Sequence, residues 1–359
     1  MTRKILIIIA YLSFLNVALA QAPKYSNEFL TLGVGARGLA MSNTQTAIVD
    51  DVTSGYWNPG GLASLSSDYQ ISLMHSEYFA GLAQYDYGAF AMKIDTNSVL
   101  GFSIIRFGVD NIPNTTELID NQGNIDYNRI STFSAADYGF LISYAKKSKI
   151  KGLKYGANVK IIYRQIGSFA HAWGFGIDLG AQYQYKKWDF GLTAKDVTST
   201  FNAWSYSLNE KTKETFLATG NELPSNSFEN TLPRLILGAG RNLKISNSFS
   251  LLTALDFDLT FDKKRNVLIR SDFVNVDPHL GLEVAYKNIV FLRGGLGNIQ
   301  DEKGWDGSVT KTIQPNVGLG VKIKNIISID YALTNIGKSG IALNSNLFSI
   351  RIDLNKKNK

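Results

Sequence analysis

The residues Trp173 to Tyr185 read W-G-F-G-I-D-L-G-A-Q-Y-Q-Y, and they constrain the fold more than any other stretch. Trp173, Phe175, Ile177, Leu179, Ala181, Tyr183 and Tyr185 share one parity, and Gly174, Gly176, Asp178, Gly180, Gln182 and Gln184 share the other. A period of two kept from 173 to 185 outlasts the ordinary soluble strand of about five or six residues. One face is apolar with aromatics at both ends, and the other is small and polar. Lipid-facing strands have that arrangement. Leu153 to Tyr163 repeats it, with Ile162 breaking the polar parity, and so do Phe348, Ile350, Ile352 and Leu354 against Ser349, Arg351 and Asp353. Lys160 and Arg351 fall on the polar parity. Facing lipid, each would cost about 2–4 kcal/mol at the midplane, so that face must be wet or paired.

Fourteen such segments are expected, near 69–75, 84–94, 97–107, 137–146, 152–164, 173–184, 188–197, 232–241, 249–258, 278–287, 289–297, 315–324, 326–335 and 345–354. Every second connection between them is short and several carry Lys or Asn. The alternate ones, above all 108–136 and 198–231, are mostly longer, with 259–277 and 298–314 also long. An even number of long strands with this asymmetry predicts an all-β fold, a 14-stranded antiparallel transmembrane β-barrel with both termini in the periplasm. The mean hydropathy of −0.05 does not oppose this, because alternating residues average out. The 17 Tyr, 20 Phe and 32 Gly beside 7 Pro lean the same way.

Residues 1–20 have the form of an export signal: Arg3 and Lys4, the apolar run Ile5 to Leu15, then Ala18-Leu19-Ala20. Residues 21–68 do not alternate, yet carry Phe29, Leu30, Leu32, Leu39, Met41, Ile48 and Trp57, too apolar for a solvated linker. A hatch folded into the lumen is expected there, followed by the barrel over 69–354 and a basic tail at 355–359. The chain has no Cys, so neither disulfides nor a Cys-linked lipid is available. Its +7 charge is scattered rather than striped, which argues against nucleic acid.

Chemistry finds little support. G-V-G-A-R-G, Gly33 to Gly38, matches G-x-G-x-x-G in form, but Asp50 and Asp51 come too early and no βαβ unit follows. His75, His171 and His279 have no metal-spaced partners, and Asp256 with Asp258 reads as lumen polarity. No enzyme, metal site or cofactor is expected. Phe201, Trp204, Tyr206, Phe216, Leu217 and Phe228 in the connection 198–231 form a candidate partner-binding outer loop.

E-F-L-T-L-G-V-G-A-R-G-L-A-M, Glu28 to Met41, followed by Y-W-N-P-G-G-L-A, Tyr56 to Ala63, resembles the hatch of outer-membrane barrels related to the long-chain fatty-acid transporter FadL. The PorV/PorQ branch found in Bacteroidota is the closer likeness, and Phe348 to Leu354 is similar to its last strand. The residues Asn355 to Lys359 depart from the usual aromatic ending. The resemblance implies structural hatch positions at Phe29, Leu32, Gly33, Gly35, Arg37, Gly38, Met41, Trp57, Asn58, Pro59, Gly60 and Gly61. It also implies a non-enzymatic adaptor in type IX secretion, meeting outer-membrane lipid and another outer-membrane or surface protein. Two alternatives stand beside it: a transporter of hydrophobic small molecules, and an accessory subunit of another complex such as barrel assembly. Trp57 is expected to be mostly buried within the barrel.

Overall fold

The computed structural model describes residues 26–78, 81–119, 123–334, 336 and 345–356. The signal segment 1–20 and residues 357–359 of the basic tail lie outside the described residues. The strands are β1 (Tyr69–Tyr78), β2 (Ala83–Lys93), β3 (Ser98–Asn114), β4 (Ser131–Lys147), β5 (Leu153–Ile166), β6 (Ala170–Tyr185), β7 (Trp188–Lys195) and β8 (Thr200–Tyr206). They continue as β9 (Ser227–Thr231), β10 (Arg234–Lys244), β11 (Phe249–Thr260), β12 (Asn275–Tyr286), β13 (Val290–Lys303), β14 (Val309–Ile323), β15 (Ile327–Thr334) and β16 (Ser345–Leu354). Among the described residues, helices α1 (Ala36–Ala40) and α2 (Ser54–Trp57) precede β1, and α3 (Glu210–Ala218) lies between β8 and β9.

All strand pairs are antiparallel. β1 pairs with β16 and β5 with β6, so the sheet closes on itself. The sixteen segments make fourteen staves. β7 and β8 both follow β6, and β9 and β10 lie in line beside them. Closure removes the edge strands that would otherwise leave unpaired backbone groups in lipid. The period of two maps onto it: on β6, Trp173, Phe175, Leu179, Tyr183 and Tyr185 are exposed, whereas Asp178 and Gln182 are buried in the lumen. Ile162, the exception in the alternation, packs into the interior core with no exposure.

Two of the short turns use left-handed residues in pairs. Lys287 and Asn288 have φ of 51° and 54°, and Lys324 and Asn325 have 50° and 57°. Left-handed pairs of this kind in the three-residue connections 287–289 and 324–326 match the strand twist, and Asn tolerates the conformation well among non-glycine residues.

The long connections are shorter than their sequence suggests. Strands β3 and β4 run on to Asn114 and from Ser131, leaving 115–130, and β13 and β14 leave only 304–308. Beyond the lipid band a stave has no apolar outward face, so the ladder continues without the hydropathy signal that revealed it below. The segment 198–231 is likewise not one loop. It holds β8, α3 and β9. Asp196 and Ser199, at φ 57° and 56°, turn the chain out of the ladder between β7 and β8. Val197 N–H still donates to Ile177 O at 2.9 Å, so the wall stays stitched at the break. The neighbouring stave breaks at Leu232-Pro233, where proline has no N–H to give the ladder.

Candidate functional site

The hatch lies inside this barrel. α1 touches β13 to β16, and the 3₁₀ turn Pro59–Ser64 touches β3 to β6. Its organising side chain is Trp57, 6 % exposed, whose Nε1 donates to Val34 O at 3.1 Å. A Cβ at Gly38 would stand 2.8 Å from the indole, and one at Gly33 would stand 2.9 Å from it. Gly33 also has φ 96°. The G-V-G-A-R-G run therefore makes a seat for an aromatic ring, which explains its glycines without a phosphate. Tyr56 meets Trp57 edge-on at 4.8 Å, donates its hydroxyl hydrogen to Leu30 O at 2.7 Å and accepts from Gly33 N–H at 3.0 Å.

Asn58-Pro59-Gly60-Gly61 fastens the hatch to the wall. Asn58, fully buried, donates from Nδ2 to Thr46 O at 2.8 Å and to Ala181 O on β6 at 3.0 Å, and its Oδ1 accepts from Gly60 N–H at 3.1 Å. Asn58 ends α2 and caps the next turn, where Pro59 takes the first position. The glycines here do not serve a sharp reversal, since neither has a positive φ. They serve close approach. A Cβ on Gly60 would lie 3.1 Å from Gly180 O, and one on Gly61 would lie 2.6 Å from Val49 O. The wall answers with Gly156 on β5, where a Cβ would meet the Pro59 backbone at 2.7 Å.

Charge completes the attachment. Arg37 forks onto Glu283 with bonds of 3.0 and 3.2 Å. Glu283 also accepts from Arg293 at 2.6 Å, and Arg293 reaches Asp330 at 2.6 Å. This alternating chain ties α1 to β12, β13 and β15. On the other side Asp51 pairs with Arg351 of β16 and accepts from Thr53 N–H at 2.9 Å. Burial alone would raise the Asp51 carboxyl, but Arg351, Arg37 and the two Thr53 hydrogen bonds outweigh it and hold it below the usual carboxylate range. Asp256, read from sequence as lumen polarity, accepts the Gln45 and Thr46 N–H groups at 3.0 and 2.9 Å. Its neighbour Asp258 pairs with Arg234 at 3.0 Å. Sequence patterning had no means of finding Glu283, Arg293 or Asp330, because nothing in a strand shows which hatch residue it faces.

Of the other hatch positions, Phe29 and Met41 are buried and Leu32 is half-buried. Gly35, at φ 76°, opens α1, and its N–H donates to the Met74 sulfur at 3.0 Å. Above the hatch lies a polar vestibule of about 470 Å³ bordered by Thr31, Arg234, Asp277 and His279.

The six aromatic and apolar residues of the outer segment do not form one patch. Phe201 and Phe228 are exposed, at 42 % and 79 %. Trp204 turns inward instead, under the Arg164 guanidinium at 5.1 Å, with Nε1 donating to Glu229 at 3.1 Å. Leu217 is exposed on α3. Phe216 and Tyr206 enter an apolar cavity of about 330 Å³ together with Pro113, Phe133, Ile166 and Phe169, roofed by α3. Phe133 and Phe169 stand edge to face at 5.2 Å in its wall. No single segment of sequence shows this cavity, because it is assembled from β3, β4, β8, α3 and the β5–β6 turn.

No family model matches the chain, and no curated protein matches it. Among solved structures it is similar to the toluene transporter TbuX of Ralstonia pickettii, with TM-score 0.56 and 14 % identity over 90 % of this chain and 98 % of that one. The toluene transporter TodX of P. putida gives 0.58 and 12 % over 90 % and 99 %, and a FadL homologue of Pseudomonas aeruginosa gives 0.51 and 11 % over 89 % and 98 %. At these identities the likeness establishes a shared fold: this chain is a closed, fourteen-stave antiparallel β-barrel with the fold of these solved structures.

Proposed function

We propose that this chain is a non-enzymatic outer-membrane barrel that captures small hydrophobic molecules on its outer side, in the cavity beneath α3. The observation that carries the reading is the lining of that cavity. Most of its side chains are apolar, Phe133, Ile166, Phe169, Leu208 and Phe216 among them, with Asn114, Thr115, Thr116 and Thr212 as the polar minority, and about 330 Å³ matches the lower end of small-ligand sites. Solved structures of the same fold include toluene transporters and a monoaromatic hydrocarbon channel. The reading places the barrel in the outer membrane of a Gram-negative cell, with the short turns and termini on the periplasmic side. Passage beyond the cavity requires the hatch to yield, because its apolar side chains pack against inward wall residues such as Met74, Ile105, Leu141 and Ile162 while ion pairs and hydrogen bonds fasten it.

Binding of toluene to the refolded full-length protein, followed by the change in intrinsic Trp fluorescence or by calorimetry, tests it. Saturable binding that drops at least tenfold in Phe216→Asp and Phe169→Asp is expected. Equal binding by wild type and both variants would remove the cavity from the mechanism.

A second reading, the protein adaptor implied by the PorV/PorQ resemblance, draws support from the side chains left uncovered on the outer segments. Phe228, Phe273 and Trp305 stand at 79 %, 86 % and 109 % exposure. Purification from the native outer membrane separates the two: a stoichiometric outer-membrane or surface protein lost on Phe228→Ser with Trp305→Ser favours the adaptor.

A further inference from the structure

The lipid-facing wall is not equally tall all round. On β11 the outward positions Phe249, Leu251, Thr253, Leu255, Phe257 and Leu259 continue from the short-turn end to Leu259 without a charge. On β6 the outward run reaches from Tyr185 to Trp173. On β1 it stops after Tyr69, Ile71 and Leu73, and His75 and Glu77 follow. On β2 Gly88 gives way to Asp86 and Gln84, and on β3 Ile104 gives way to Arg106. At about 3.3 Å per residue and roughly 40° of tilt, the β11 run rises ~25 Å, a full barrel band, whereas the β1 run rises ~10 Å.

The outward polar groups above the short wall form one chain. His75 Nδ1 lies 2.7 Å from Asp86 Oδ1, Arg106 lies 3.5 Å from Asp86 Oδ2, and Arg106 lies 3.7 Å from Asp110. Each is about a quarter to a half exposed on the outside of the wall, and none turns into the lumen. Tilting the barrel axis moves both ends of a wall together, so it does not restore the missing height. Charges at this level need hydration or a covering partner.

We propose that the wall of β1, β2 and β3 thins the surrounding lipid on the long-connection side, so that hydrated headgroups descend to His75, Asp86 and Arg106. The patch offers both signs, Arg106 against Glu77, Asp86 and Asp110, with the His75 ring beside Asp86, which suits the phosphate and amine of a zwitterionic headgroup. The consequence is directional: beside this wall the polar end of an amphiphile stands at mid-membrane depth without crossing a full leaflet. This inference does not rest on the outer cavity.

The chain has no Cys, so single introduced thiols report cleanly. Glu77→Cys on β1 and Phe257→Cys on β11 lie at matching distances from the short-turn ends at Tyr69 and Phe249. Each full-length protein, labelled with an environment-sensitive fluorophore, is refolded into dioleoylphosphatidylcholine vesicles, with heat-modifiable gel mobility to confirm folding. Spin labels on the headgroup or deep in the acyl chain then measure depth. The label at 77 is expected to be quenched several-fold more by headgroup spin labels and by aqueous iodide, and the label at 257 by acyl-chain spin labels. Equal acyl-chain quenching at both sites overturns the proposal. So does a label at 77 shielded from lipid and iodide alike, which would mean that a second copy covers the wall. In a His75→Leu, Asp86→Leu, Arg106→Leu background the label at 77 should move into the acyl region. If that variant folds and the label stays at headgroup depth, the charge chain is not the cause.

Discussion

Trp57 shows how one side chain can set the demands on a whole motif. Gly33 and Gly38 are bare because the indole occupies the space where a Cβ would stand. Gly38→Val forces the ring or α1 to shift and should cost about 1–3 kcal/mol. Trp57→Ala leaves a cavity instead and should cost roughly 3–5 kcal/mol. Both losses belong to the hatch, so hydrogen exchange of residues 33–65 should accelerate while the strand amides stay protected. Uniform acceleration across the barrel would show that hatch and wall unfold as one unit. Asp51 adds a pH dependence at the same scale. Its folded value lies below the ordinary carboxylate value of about 4, so its contribution is complete above that pH and is lost as pH falls through the folded value. Hatch exchange should therefore quicken as the pH falls below about 4 in the wild type, and Asp51→Asn should flatten that part of the profile.

At the scale of elements, the hatch is short helices and turns that would not persist alone. α1 and α2 have five and four residues, far below the length at which an isolated helix is stable. The barrel supplies what they lack: Asn58 bonds to β6, Arg37 forks onto β12, and Asp51 pairs with β16. Removing the fork leaves Glu283 with Arg293 alone. Arg37→Met should cost about 3–5 kcal/mol of hatch attachment, since breaking one arm of a buried ion network strands the rest. If the hatch must yield for passage, liposome entry of toluene should rise in this variant; unchanged entry with faster hatch exchange would separate attachment from transport. α3 contrasts with these helices. Asn209 caps it by accepting the Thr212 N–H at 2.7 Å, and it packs Phe216 into the outer cavity. It lies in a segment whose sequence reads only as a long polar connection with aromatics.

For the whole molecule, closure of the sheet and the height of its apolar band were legible in the sequence wherever lipid imposes a period of two. Trp173 to Tyr185 alone determines a long strand with one greasy face, because no soluble sheet needs that alternation over such a length. The number of staves and the short-turn side followed from the same rule, since Lys-Asn pairs mark tight left-handed turns. What the rule cannot reach is everything the lipid does not touch. Above the band the staves continue without a sustained apolar alternation, so β8, β9 and α3 read as loop. In the lumen, a buried Lys160 or Glu283 is written like any polar residue, and its partner Asp178, Arg293 or Arg37 is set by which staves and hatch turns come together. Hydropathy is a one-body property and the sequence carries it openly. Pairing and enclosure are relations between distant residues, and only the closed barrel around its hatch decided them.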